Sequence, residues 1–390
     1  MENVVGAGKH PNPFNPGSPV DPSDFVGRMQ ELENFRQRLR QTVTGSLASM
    51  AIAGGYGVGK TSFLHKCTTI VEDLDALPIY FSLNEIDHLT RETLARMLMQ
   101  RVKEKVQEEA ILQRISGEVA RALARIRITT GGIEVRLGEA EEEFPNLQSA
   151  LRGAWNAIKK SKSAIVFLID EAHVLERNRA ELLLFLRAVL EQLQLERIPI
   201  MIIPAGKFTV SGPSGTGFSP LVRTFPQVTL ENFTKEESMA FIIKKLQQAG
   251  VAISEGVVDK AHATSEGHPY VLTAYLWSAY TKMKDDEKEI TLQHLSATDI
   301  EFATSILARF FSRFYDQVGR QSKAILTIMA KNAGGESSLS ELVEILKKPN
   351  NELSPHLAKL VQDGAIARID RGRYKLFHHL LGEYVKEKNK

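Results

Sequence analysis

Gly54-Gly55-Tyr56-Gly57-Val58-Gly59-Lys60-Thr61 fits the pattern G-x-x-x-x-G-K-S/T. A short apolar run, Leu47 to Ala53, precedes it, and a helical opening, Thr61-Ser62-Phe63-Leu64, follows. Strand, loop and helix in that order are the context in which this spacing wraps nucleotide phosphates. The glycines let backbone N–H groups turn inward, and the helix N-terminus adds partial positive charge. In such a loop Lys60 reaches the β- and γ-phosphates and the Thr61 hydroxyl ligates Mg²⁺. The stretch predicts a nucleoside triphosphate bound along Gly54, Gly55, Tyr56, Gly57, Val58, Gly59, Lys60, Thr61 and Ser62.

Farther along, Ala164 to Ile169 reads as a fully buried strand that ends in Asp170-Glu171. A carboxylate at the C-terminal end of a buried strand beside a phosphate loop is where Mg²⁺ is held, usually through water. Asp170 is therefore the metal candidate, and Glu171 is the candidate general base that polarises the attacking water. Asp170-Glu171-Ala172-His173 spells a helicase box, but the rest of that signature is absent, and His173 is read as incidental.

Pro78 to Leu83 and Ile198 to Ile203 supply further buried strands, and helical segments separate them. That alternation implies an α/β fold on a parallel, doubly wound sheet. Lys60 and Asp170 stand far apart for a compact phosphate-loop domain, and the excess, about 85–145, reads as an insertion. It holds a helical region over 90–125 and a hairpin in which Ile126, Ile128, Ile133, Val135 and Leu137 alternate around Gly131-Gly132. Arg125, Arg127 and Arg136 there are open to a nucleic-acid or partner contact; a solvated charged face is the simpler reading.

The N-terminal segment, residues 1–24, is too rich in Pro, Asn and Gly for a helix and is expected to lie extended over a neighbouring surface. Phe25 to Thr42 reads as an amphipathic helix with Leu32, Phe35 and Leu39 on one face. Beyond Leu230 the pattern turns helical, over Thr234 to Ala249, Glu255 to Ser265, Tyr270 to Lys284 and Asp299 to Val318. Phe310, Phe311 and Phe314 on the last of these read as a packing seam.

With 390 residues the chain is long enough for two or three domains, and 43% hydrophobic with 25% charged residues excludes a disordered or fibrous chain. A net charge of +2 argues against a dedicated nucleic-acid coat and leaves room for a local basic face. Cys67 is the single cysteine, so intrachain disulfides and cysteine-rich metal sites are excluded. No apolar run has the length of a membrane span and the first residues carry no signal-peptide pattern, so a cytoplasmic protein away from membranes is expected.

Phe25-Val26-Gly27-Arg28, then Glu31-Leu32, the phosphate loop, the Asp170-Glu171 strand and the strand Ile200 to Gly206 together resemble the AAA+ ATPases. Within that clan the similarity lies nearest the archaeal replication initiators and the STAND signalling ATPases with their archaeal-ATPase cousins. It covers about residues 10–390. The resemblance implies a parallel-sheet P-loop core over 25–230, an all-α lid over 231–315 and a C-terminal winged-helix domain over 316–390. It implies ATP as the nucleotide, because Val26-Gly27-Arg28 holds the place that contacts adenine in that clan. Met29 departs from the glutamate often found there.

Lys207, after Ile203-Pro204-Ala205-Gly206, falls at the position of the first sensor. Arg223 falls where the family places an arginine finger for a neighbour's nucleotide, and a surface arginine on a flexible loop fits equally. Gly267-His268-Pro269 has the Gly-x-Pro form of STAND proteins instead of the initiators' sensor arginine, which implies His268 and Pro269 beside the nucleotide. Read from the residues alone, it is a helix start with proline in the first turn.

Gln321 to Lys331, Leu339 to Leu346 and Glu352 to Gln362, followed by strands Ala365 to Ile369 and Tyr374 to Phe377, have the order of a winged helix. Its wing carries Arg368, Arg371, Arg373 and Lys375, whereas the third helix offers only Lys359 and His356. Duplex DNA is thus a candidate partner through the wing. The resulting expectation is an ATP-binding and ATP-hydrolysing STAND-type switch, whose nucleotide state controls lid, winged helix and assembly with a protein partner or with itself. The alternative is a DNA-binding AAA+ ATPase of replication initiation, transposition control or DNA remodelling.

Overall fold

A computed structural model of the protein describes residues 11–83, 89–112, 143–207 and 220–390. The hairpin with Arg125, Arg127 and Arg136, and the glycine-containing stretch before Arg223, lie outside the described residues. The described chain separates into two compact units. One is formed by Asp21–Gly54 with Gly59–Leu230; the other holds residues 11–20, the tip of the phosphate loop, Gly55–Val58, and Glu231–Lys390.

The first unit is built on a parallel sheet. Its elements in chain order are α1 (Met29–Val43), β1 (Ala51–Ala53), α2 (Lys60–Asp73), β2 (Leu77–Ser82), α3 (Arg91–Leu112), α4 (Glu143–Ile158) and β3 (Ile165–Asp170). Then follow α5 (Arg177–Leu195), β4 (Ile200–Gly206), α6 (Pro220–Thr224) and β5 (Gln227–Thr229). The strand order is β2-β3-β4-β1-β5, all neighbours parallel. β3 is buried at every position because helices cover both faces, which is why Ile-Val-Phe-Leu-Ile reads as an unbroken apolar run. On one face Leu94, Leu98 and Val102 of α3 and Leu183, Leu186 and Leu190 of α5 close over Phe167 and Ile169.

Helix α1 buries Leu32, Phe35 and Leu39 as its periodicity demands. It starts at Met29 rather than Phe25, because Gly27 (φ 76°) and Arg28 (φ 61°) are left-handed and cannot continue a right-handed helix. Strand β1 is three residues long, shorter than its apolar approach, and β4 runs on through Gly206. Cys67 is buried in α2, and burial pushes its thiol well above its ordinary pKa, as fits a packed, inert side chain.

The second unit is mostly helical: α7 (Lys235–Gln248), α8 (Val257–Ser265), α9 (Pro269–Thr281), α10 (Leu292–Glu301) and α11 (Ala308–Tyr315). Two additions were not expected in a wholly helical lid. Ala252–Ile253 (β6) pairs in parallel with Glu289–Ile290 (β7), and a π-turn, Phe302–Ile306, breaks the long helix expected over 299–318. The chain then runs through α12 (Arg320–Lys331), β8 (Glu336–Ser338), α13 (Leu339–Leu346) and α14 (Asn350–Asp363), and on through β9 (Ile366–Asp370), β10 (Arg373–Leu376) and α15 (His379–Lys388). The antiparallel order β8-β10-β9, with Gly372 (φ 72°) in the turn between β9 and β10, is compatible with a winged helix.

Candidate functional site

In an open parallel sheet, ligands gather beyond the carboxyl ends of the strands. β1 delivers Gly54 to that edge and β3 delivers Asp170, with β4 between them. Gly59 (φ 94°) caps α2 in a left-handed conformation, which lets the chain fold back and start the helix at Lys60. Lys60 is buried, and its Nζ donates to the Gly54 carbonyl across the loop at 3.2 Å. The Thr61 Oγ1 donates to Asp170 Oδ2 at 2.6 Å, although the two residues lie 109 positions apart. Asp170 Oδ1 accepts from the Glu171 amide at 2.8 Å, so the strand end is pinned by its own next residue.

Sequence reasoning missed Tyr80. It lies on β2, whose register sets Ser82 beside Asp170, and its hydroxyl donates to Asp170 Oδ2 at 3.2 Å. Burial raises the Tyr80 pKa, and the Asp170 charge and hydrogen bond raise it further, so the phenol stays protonated and stays a donor. His65 of α2 meets the Tyr80 ring edge-on at 4.8 Å. No local spacing announces this tyrosine; only the pairing of β2 with β3 brings it to the carboxylate.

Glu171 follows the strand in a left-handed conformation (φ 49°), and its carboxylate is partly exposed. His173, read as incidental, has Nδ1 3.4 Å from Glu171 Oε2. Lys207 follows β4, at the carboxyl edge between the loop strand and the Asp170 strand. Val26, Gly27 and Arg28 run beside α2: Lys66 donates to the Pro22 carbonyl at 3.0 Å and Phe25 packs on Phe63. Arg28 is buried.

Arg223 is exposed on α6, just upstream of β5. The first residue of β5, Gln227, pairs with Ala51, the first of β1, so α6 sits at the amino edge of the sheet.

The loop tip packs within the second unit. His268 caps α9, its Nδ1 accepting from the Val271 amide at 3.4 Å, and its Nε2 lies 2.9 Å from the Tyr56 carbonyl. Both ring nitrogens are thereby committed to protein groups. His268 thus meets the phosphate loop through the Tyr56 carbonyl. Pro269 occupies the first turn of α9, as its fixed φ favours. Arg313, also unanticipated, sets its guanidinium 3.7 Å over the Tyr56 ring.

Residues 24–203 match the family model described as AAA ATPase domain, and residues 308–385 match a domain of unknown function, DUF8462. Residues 24–203 are an AAA ATPase domain, and the chain is an ATPase. The chain resembles a Walker-type ATPase of Pyrococcus abyssi, with a TM-score of 0.63 and 17% identity over 96% of this chain and 99% of that one. The ORC2 protein of Aeropyrum pernix aligns with a TM-score of 0.59 and 13% identity over 98% of this chain and 100% of that one. At these identities the likeness establishes the fold. An uncharacterized HTH-type transcriptional regulator of Methanocaldococcus jannaschii is 23% identical over 91% of the ATPase chain and 87% of its own. Among the described residues no helix of this ATPase is long and apolar enough to cross a membrane.

Proposed function

We propose that the protein is an ATP-hydrolysing switch of STAND type, with a P-loop core over 25–230, a helical lid over 231–315 and a winged helix over 316–390, whose nucleotide state governs assembly with a partner. The observation that carries the ATPase chemistry is the 2.6 Å approach of Thr61 Oγ1 to Asp170 Oδ2. Two hard oxygen donors that converge on one point from a phosphate-loop helix and a neighbouring strand suit Mg²⁺. Bound there, the ion would neutralise charge on the β- and γ-phosphates. Lys60 would hold the same phosphates, Glu171 would take the proton of the attacking water, and Val26-Gly27-Arg28 would meet the adenine. Lys207 fits a γ-phosphate sensor. Arg223, at the far edge of the sheet, fits a finger offered to a second copy.

The wing's charges favour a protein partner over DNA. Glu336 pairs with Arg373 at 3.0 Å and lies 3.9 Å from Lys375, and Arg368 Nε donates to the Asp370 carbonyl. Phosphate backbones are gripped by basic side chains free to reach them, and three of the four wing cations already have protein partners. The DNA-binding alternative keeps one specific support, the helix-turn-helix description of the M. jannaschii relative.

The test is the mass in solution of the Glu171→Gln protein with ATP and Mg²⁺, with and without duplex DNA, beside Lys60→Ala. The proposal expects Glu171→Gln to retain ATP without turnover, Lys60→Ala to lose ATP, and DNA to leave the mass unchanged. Unchanged ATP affinity in Lys60→Ala sinks the site assignment. DNA-dependent assembly of Glu171→Gln replaces the switch reading with the DNA-remodelling one.

A further inference from the structure

The tip of the phosphate loop is held by groups that take no part in the chemistry just described. His268 Nδ1 accepts the Val271 N–H at the start of α9, so the ring proton sits on Nε2, and Nε2–H donates to the Tyr56 carbonyl at 2.9 Å. Two residues on, the Tyr270 amide donates to the Gly57 carbonyl at 3.1 Å. That amide belongs to the first turn of α9, where N–H groups have no partner inside the helix. Gly57 is pressed so close that an added Cβ would stand 2.7 Å from His268 Cε1 and 2.8 Å from Tyr270 Cβ, at a backbone φ of 80°. Arg313 covers the Tyr56 ring, and Phe310 stacks on Tyr270 at 4.5 Å.

Peptide planarity turns these contacts into an orientation. In a trans peptide the C=O and the following N–H point in opposite directions. Fixing the Tyr56 and Gly57 carbonyls against α9 therefore directs the Gly57 and Val58 N–H groups away from α9, and these are the donors such a loop presents to phosphate. We infer that His268 and the Tyr270 amide are positioning groups of the phosphate loop, aiming the Gly57 and Val58 N–H groups at the nucleotide's β-phosphate. The inference rests on the phosphate-loop reading above and assigns His268 a role without contact to nucleotide. Burial keeps the ring neutral near neutral pH, so its single N–H is the donor throughout.

Full-length His268→Asn separates grip from folding, because asparagine caps a helix well but its amide is too short to reach Tyr56. His268→Gln has the reach and carries an N–H. Affinities for ADP and AMP are measured by titration calorimetry, with EDTA and with Mg²⁺, and melting temperatures are recorded alongside. His268→Asn is expected to weaken ADP by about tenfold, the worth of one oriented hydrogen bond, equally with and without Mg²⁺. AMP, which has no β-phosphate, should bind unchanged, and His268→Gln should recover most of the ADP affinity. ADP binding by His268→Asn at wild-type strength, or equal losses for ADP and AMP, overturns the inference. Lys60→Ala serves as the control: if it too keeps ADP, the phosphate-loop reading has failed, whereas loss in Lys60→Ala alone condemns only the role of His268.

Discussion

Asp170 Oδ2 accepts from two hydroxyls, Thr61 at 2.6 Å and Tyr80 at 3.2 Å. The two hydroxyls stand in different relations to Mg²⁺. Thr61 would give up its hydrogen bond to become a ligand, whereas Tyr80 would go on holding the carboxylate's orientation. Tyr80→Phe should therefore raise the Mg²⁺ concentration needed for half-maximal ATP turnover by about threefold to tenfold, while ADP affinity in EDTA stays at the wild-type value. A parallel loss of ADP affinity in EDTA would mean that the phenol supports the loop generally. Gly57→Ala addresses the other end of the loop. Its methyl would meet His268 and Tyr270 well inside contact distance at a positive φ, so nucleotide binding should fall more steeply than stability. Calorimetric ADP titration and thermal melting read the two separately. The meeting of Thr61 with Asp170 was legible from spacing and from a strand end, because both patterns are local. Tyr80, Tyr270 and Arg313 were not, since each reaches the site through strand pairing or helix packing that no short window contains.

Two helices of the second unit begin in the same manner. His268 caps α9, and His378 caps α15, accepting from the Leu380 amide at Nδ1 while its Nε2 bonds the Ser265 carbonyl. Both rings are buried, and burial brings each pKa down from 6.5 to about 4. Between those values the unfolded chain binds protons that the folded chain does not, so stability rises with pH there. The contribution is complete above the unfolded value near 6.5 and is lost as pH falls toward 4, at about 1.4 kcal/mol per pH unit for each histidine. Urea unfolding of the second unit at about pH 7 and about pH 5, followed by tryptophan fluorescence, should show a clear drop, and His378→Gln should shrink it. An equal midpoint at both pH values would contradict buried, neutral rings. At this scale most helices and parallel strands were readable, since the periods of the apolar residues differ so plainly. The breaks were not. Leu307 N–H bonds Phe302 O over five residues, yet Phe302, Leu307, Phe310 and Phe314 still read as one apolar stripe. β6 and β7 are two residues each and carry no pattern long enough to recognise.

The two units are not two stretches of sequence. Residues 11–20 belong with the helical unit although 21–54 belong with the sheet, and the four residues of the loop tip group with the helical unit as well. Sequence adjacency gives no hint of either grouping, because contacts across long separations in the chain decide it. Phe14 is the clearest case. It is almost fully buried, with its ring 6.1 Å from that of Phe241 on α7 and 6.4 Å from that of Tyr280 on α9. Asn12 fastens the segment beside it, donating to the Trp277 carbonyl at 2.9 Å and bonding the Phe14 amide through Oδ1. A proline-rich stretch cannot form a helix of its own, so this aromatic anchor supplies what order it has. Phe14→Ala removes a whole buried ring and should cost the helical unit about 3–5 kcal/mol, the range for large-to-small changes in a packed interior. Hydrogen exchange localises the effect: α7 and α9 should lose amide protection, while β3 and β4, which belong to the other unit, should keep theirs. Uniform loss in both units would mean that they unfold as one cooperative body, and no loss would mean that α7 and α9 close over the space the ring leaves.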